Sequence, residues 1–525
     1  GFAAGSVSGS TLYNNKKGTK TNVTVDGVVV VKLGYTYATT AAELAAALTA
    51  NKENILVALT ADIDLPISSL GQQTGGSGEY KLGGENTKNL TINLNKQKLT
   101  ITTTYWSILG AKNADAIFTI KNGTMTSSQP TGTWNSYDLC FANCNYNLED
   151  VVFEKAIALE ADNKVYNLNN VTINETHDYY AMWVSAVGQT LNIDGLTIDS
   201  KGRGIKIDEQ YVGNPAKVTM NINNATFTTA NKAAILVKSV AGAEINVSNI
   251  DITNVAKDSD FAVWVDEDAA AYADKVVVKG AMMKVEGSST ILASTPAELA
   301  NATIENNSTI YLGEGSFIVP NSAQGKTVTF IGTGKPENTI IATMDNGSYE
   351  GCNYALDGST VLFENISINT TSKNYIGYAR CNGTYKNCII NGTYTLYGNS
   401  VFENCTFNVS GDVYNIWTWG APKATFTDCT FNSDGKAMLL YGQANTKLTI
   451  EDCVFNDKGG LTDLKAAIEI GNDYNTSYEL IVNNTKVNGY EINDKGINTG
   501  TTLWANKNSM PKDKLNVVVD GVDVY

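Results

Sequence analysis

The pattern of this chain predicts an all-β solenoid, a parallel β-helix, on the strength of three observations. A heptapeptide recurs along its length. A short helix-plus-strand motif occurs twice, far apart. A valine-rich segment occurs three times at intervals that match.

The heptapeptide places an apolar residue, a polar residue and then Asn, Asp or Gly, with a β-branched or aromatic residue two residues later. In the first half it reads TIKNGTM (119–125), NLEDVVF (147–153), NLNNVTI (167–173), NIDGLTI (192–198), NINNATF (221–227) and NVSNIDI (246–252). In the second it reads LFENISI (362–368), TYKNCII (384–390), VFENCTF (401–407), TFTDCTF (425–431) and TIEDCVF (449–455). Steps between successive Asn/Asp/Gly positions run from 17 to 29 residues, which suits one turn of a solenoid. The period of two and the Val, Ile, Thr and Phe content predict strands, and the Asn/Asp/Gly column predicts left-handed turns between them.

Two helices are expected at TTAAELAAAL and STPAELANAT. Thr40 with Glu43, and Thr295 with Glu298, have the spacing of a capping box, and Pro296 fits a first helical position. Each motif runs into an apolar strand, so each helix is placed to plug the open end of a β-helix. The third repeat is VTVDGVVV (23–30), VVVKGAMM (276–283) and VVVDGVDV (517–524), a hairpin-like closing segment. The implied organisation is a leader with one orphan closing segment over 1–38, a first unit over 39–290 and a second over 291–525, with the boundary in VEGSSTIL. The orphan copy is either the tail of a preceding unit or a cover for the following one.

Eight cysteines are present, and Cys388, Cys405, Cys429 and Cys453 follow the turn residue in successive rungs. The same column carries Val151, Val171, Leu196, Ala225 and Ile250 in the first half, so the expected role is a small buried hydrophobe. Cys140 and Cys144 are close enough in sequence to meet in a loop, as thiols or as a disulfide. No C-x-x-C or nearby histidine suggests zinc.

Net charge is −15, with only two arginines, Arg203 and Arg380, and one histidine, His177. Such a surface disfavours nucleic acid and anionic membranes, and it discourages polyanionic substrates. No apolar run is long enough to span a bilayer. The Asn-, Thr-, Gly- and Tyr-rich composition suits an exported bacterial protein, extracellular or on the outer cell surface, and a monomer is expected.

The capping helix followed by STIYLGEGSFIVP (308–320) and rungs of the VFENCTF type resembles the pectate lyase-like right-handed parallel β-helix superfamily. The resemblance covers roughly 40–285 and 294–500. It implies two tandem right-handed parallel β-helix units, each with a short N-terminal capping helix. That superfamily includes polysaccharide lyases, polygalacturonase-type hydrolases, tailspikes and adhesin-like surface proteins, so fold alone does not select an activity. Residue by residue, a lyase pattern requires a basic catalytic group beside calcium-binding aspartates. Arg203, Lys206 and Asp208, in KGRGIKIDE, together with Arg380, are the candidates, and neither arginine sits in the arginine-proline motif. A polygalacturonase pattern requires paired aspartates and Gly-His-Gly, which are absent. His177 beside Asp178 reads as a surface histidine.

The more suggestive pattern is aromatic. Short strands such as AMWV, AVWV and IWTW alternate so that Trp183, Lys206, Leu236 and Trp264 form one outward column. In the second half the column becomes Trp417, Trp419, Leu439 or Tyr441, and Glu469. Outward indoles suit sugar rings, whose C–H faces stack on aromatic faces. The expected function is therefore non-catalytic binding of carbohydrate or another surface ligand by Trp183, Trp264, Trp417 and Trp419. The alternatives are a polysaccharide lyase or hydrolase with a cross-rung site, and a spacer in a larger repeat-built surface protein. No cofactor is required. Calcium is the one ion that Asp208, Asp266 and Glu267 would suit.

Overall fold

The computed structural model describes residues 34–525 apart from 72–78, 103–107, 129–138, 210–212, 214, 230–233, 257–258, 267–274, 344–353, 371–380, 435, 460–465, 472–473, 492–499 and 508; before residue 34 it describes the strands at 8–9, 14–15, 23–25 and 28–31. The fold is a parallel β-helix, and the chain divides into compact units Gly1–Gly287 and Ser288–Tyr525.

Among the described residues, the first unit holds a 13-stranded and a 9-stranded sheet. In the long sheet, strands such as Asn145–Phe153, Val165–Glu175, Val187–Ser200 and Ala216–Thr229 stack in parallel, with Leu148, Leu168, Ile193 and Ile222 in register. The second unit holds 11-, 8- and 5-stranded sheets. Its extra sheet begins with Tyr394–Thr395 and continues through Ile416–Trp417, Met438–Leu440, Ile468–Ile470 and Trp504–Asn506.

The turn column adopts the backbone its residue types allow. Asn122, Asp150, Asn170, Asn224, Asn365, Asn387, Asn404, Asp428 and Asp452 all have φ between 50° and 59°, and Gly195 has φ 76°. These are the residue types that enter the left-handed region at least cost. The ladder steps over this residue: Glu149 pairs with Asn169 and Val151 with Val171. Asn249 is the exception, and there the strand breaks into Val240–Val247 and Ile250–Val255. Amides bridge the rungs, as where Asn170 Nδ2 donates to Asp150 Oδ1 at 2.6 Å and Asn387 Nδ2 to Asn365 Oδ1 at 2.9 Å.

Behind the turns, the interior is filled by stacks of like side chains. Phe330, Phe363, Tyr385, Phe402 and Phe426 form one column with successive centroids 4.3–5.5 Å apart. Tyr146 and Tyr166 stack at 5.1 Å in the first unit, and their buried hydroxyls donate to the carbonyls of Leu109 and Phe141 at 2.6 Å. Cys388, Cys405, Cys429 and Cys453 are each 1% exposed. Each thiol donates to the carbonyl two residues back, at 3.1–3.3 Å, on the far side of the turn residue. A valine there would leave that carbonyl without this weak donor. Cys140 and Cys144 are buried thiols that are not joined in a disulfide. Burial pushes the Cys144 thiol up.

Both capping helices form. Helix α1 spans Ala41–Leu48 and α2 spans Pro296–Ala300, and each has a reciprocal capping box, Thr40 with Glu43 and Thr295 with Glu298. The valine-rich segments diverge. Val23–Val25 pairs with Val28–Val31, and Leu515–Val519 with Val522–Asp523, as antiparallel hairpins. The middle copy instead sends Val276–Lys279 and Met283–Val285 into two different sheets of the first unit, in parallel pairing. No helix among the described residues is long and apolar enough to cross a membrane.

Candidate functional site

In the first unit, register places Ala158, Trp183, Lys206, Leu236, Trp264 and Lys284 in one outward column of the 9-stranded sheet. The column is not bare. Cys140, Ala142, Ala156, Ala158, Tyr180, Leu236 and Trp264 form a small apolar cluster outside the main core, with Tyr179 and Trp183 against it. Trp264 is only 4% exposed, while Trp183 is half-buried. Lysines occupy the indole faces: Lys206 Nζ lies 5.1 Å from the Trp183 centroid, and Lys284 Nζ 4.7 Å from that of Trp264. A ring face held by an ammonium is not open to a sugar. Trp264 therefore presents almost no ring surface to solvent on this geometry.

Three of the charged candidates converge beside these rings. The Arg203 guanidinium lies 5.0 Å from the Tyr180 centroid, and Lys206 Nζ 5.5 Å from it on the neighbouring rung. Lys206 is paired with Asp208 at 2.7 Å, and Lys238 with Asp266 at 3.5 Å. Burial raises the Tyr180 phenol to about 12, against the opposing pull of Arg203, so at neutral pH it is a hydrogen-bond donor. Arg380 and Glu267 lie outside the described residues. Among the described residues no three Asp, Glu, His or Cys side chains converge as a metal site requires.

His177, expected as a surface histidine, is half-buried and held by Glu175: Glu175 Oε1 lies 2.8 Å from His177 Nδ1 and also accepts from the His177 N–H at 2.7 Å. The second oxygen of Glu175 accepts from Ala156 N–H at 2.7 Å, and the carboxylate is buried. The available signal was the i, i+2 spacing in ETH at a strand end.

In the second unit, Trp417, Trp419, Tyr441 and Tyr474 form one aromatic cluster. Register places Leu439 beside Trp417, and Tyr441 lies against Trp419 two residues further along. Trp417 is 9% exposed and donates through Nε1 to the Tyr441 carbonyl at 2.8 Å. It braces the cluster from below. Trp419 and Tyr441 are half-buried with centroids 6.2 Å apart at 27°, and Tyr474, 40% exposed, meets the Trp419 ring edge-on at 5.5 Å. Glu469, expected in the outward column, is 1% exposed; it accepts from the Tyr414 hydroxyl at 2.6 Å and lies 3.3 Å from Lys507 Nζ. Tyr474 was not among the residues the sequence singled out, because it lies in a connection outside the repeating motif.

No family model matches the chain, and no curated protein matches it. Among solved structures, the chain is similar to a mutant form of an alginate lyase of the PL6 family. The identity is 10% and the TM-score 0.23, with 89% of this chain and 90% of that chain covered. A likeness this loose carries no argument about activity.

Proposed function

We propose that this chain is an exported, adhesin-like bacterial β-helix protein that binds carbohydrate without covalent chemistry, through the aromatic cluster of the second unit. The observation that supports this reading is the arrangement of Trp419, Tyr441 and Tyr474. Two aromatic rings that solvent reaches, Trp419 and Tyr474, meet edge to face in the turns beyond the strands Ile416–Trp417 and Ile468–Ile470, with Trp417 packed against Trp419 and Tyr441. Rigid, amphipathic rings gain contact area with a sugar's C–H face at small entropic cost. The acidic balance of the chain favours a neutral saccharide at this site.

A panel of polysaccharides, scored for binding and for product release with and without calcium, tests the proposal. The expected result is binding without turnover, weakened at least about tenfold in Trp419→Ala and in Tyr474→Ala, equivalent to roughly 1.4 kcal/mol. Binding unchanged in both variants would move the ligand elsewhere, and silence across the panel would favour a spacer role.

A second reading has one observation behind it, the convergence of Arg203, Lys206, Tyr180 and Asp208 in the first unit. A polysaccharide-cleaving site there requires turnover that Arg203→Ala abolishes and Trp419→Ala spares.

A further inference from the structure

The chain's single histidine and one of its two arginines lie close together at one corner of the first unit. The turn after Val165–Glu175 carries His177, and Arg203 opens the strand Arg203–Ile207 that follows Val187–Ser200. The two are stacked backbone to backbone. Tyr179 N–H donates to the His177 carbonyl at 2.8 Å, and Arg203 N–H to the Tyr179 carbonyl at 2.6 Å. Gly202 permits the approach, since a Cβ there would sit 2.0 Å from the Tyr179 carbonyl oxygen.

Both side chains are held by their rear and open at their tips. His177 is fixed through Nδ1 by the buried Glu175 carboxylate, and among the described residues Nε2 has no hydrogen-bond partner; the side chain is 37% exposed. With the Nδ1 proton directed to Glu175, Nε2 of the neutral ring is an acceptor. The Arg203 guanidinium rests on the Tyr180 ring and, among the described residues, makes no hydrogen bond or ion pair. Among the nearby charges, Lys206 takes Asp208, Lys238 takes Asp266, and Glu175 is spent on two N–H groups and the imidazole. In a chain with net charge −15, a half-buried, unneutralised guanidinium with all its donors unused is a recognition element rather than a surface accident.

We propose that this corner binds an acidic sugar unit, its oxyanion on Arg203 and a neighbouring hydroxyl donating to His177 Nε2. The site is independent of the aromatic cluster and of any activity there. The ligand's oxyanion is a carboxylate or a sulfate ester, groups that share planar or trigonal oxygen faces matched by a guanidinium.

Because the chain has one histidine, isotope-labelled imidazole gives one set of signals from the full-length protein, and that set is the readout. Glucuronate, glucose 6-sulfate, inorganic sulfate and glucose are titrated to about 20 mM, well above a weak millimolar Kd. The expected result is a saturable shift of the Nε2 resonance with glucuronate or the sulfate ester, whichever arm is stronger naming the group. Glucose should give none and inorganic sulfate a weaker response. Arg203→Gln should weaken the response at least tenfold, and Arg203→Lys should keep part of it, with both variants checked for native circular dichroism. Trp419→Ala should leave it unchanged, which separates this site from the aromatic one. No shift with either acidic sugar, an equal shift with glucose, or a shift that survives Arg203→Gln would overturn the proposal.

Discussion

Asn404 shows what a single residue contributes to this fold. Its φ of 52° lies in the left-handed region, where a Cβ-bearing side chain without local hydrogen bonding costs about 1–2 kcal/mol. Asn404→Ala should therefore lower unfolding stability by about that amount, while Asn404→Gly, freed of the Cβ conflict, should stay within a few tenths of a kcal/mol to ~1 of the parent. Urea denaturation midpoints check this, and equal losses in both variants would argue that the amide ladder, not the backbone, dominates. The neighbouring thiols make a second prediction. Burial pushes Cys405 up, and bonding to the Cys405 thiol is the first cause for Cys429. Protonated, buried thiols are poor nucleophiles. Alkylation mapped by mass spectrometry should find Cys405, Cys429 and Cys453 unmodified in the native chain and modified once it unfolds. Rapid native labelling of this column would contradict the packing.

The elements were legible to different degrees, and the difference is physical. A period-two pattern interrupted by a left-handed residue has few backbone solutions, so the rung, its register and the turn column could be read locally. Capping boxes are local too, and both helices form where Thr40 and Thr295 place them. Which outward rings remain uncovered depends on loops and on neighbouring rungs. Tyr180 and Trp264 share an apolar cluster with Trp183 against it, and lysines from other rungs lie over those indoles, none of which a heptapeptide encodes. Glu469 is buried by Tyr414, a residue 55 positions away. At the element scale, Glu43 carries a pH prediction. Backbone hydrogen bonding from Thr39, then the Thr40 side chain, holds its carboxyl below the usual range. Its folded pKa thus lies below its unfolded one, so its support for α1 is complete above the unfolded carboxylate range and is lost as pH falls through the folded value. The stability difference between the parent and Glu43→Gln, measured by denaturation across pH, should shrink on acidification. A difference that is flat with pH would remove the capping box as its source.

Over the whole molecule, each unit has its own apolar core, one drawn from Ala38 to Val285 and the other from Ile291 to Tyr525. In a solenoid each rung gains its stability from its immediate neighbours, so damage should spread along the stack and decay. Phe426 is the place to test this. It is fully buried, stacks on Phe402 at 4.8 Å and 2°, and meets Phe407 and Phe431 edge-on. Phe426→Ala removes contacts on both sides and should cost about 3–5 kcal/mol within the second unit. Native-state hydrogen exchange resolves where that loss appears. Amides of Lys423–Thr427, the substituted strand, and of Ser400–Glu403 and Thr446–Glu451, the two that flank it in one sheet, should lose the most protection. Amides of Val165–Glu175 and Val187–Ser200 in the first unit should keep theirs, because none of their packing passes through the second core. A uniform loss across both units would mean that the chain opens as one cooperative body, and the nearest-neighbour account of its stability would have to be abandoned.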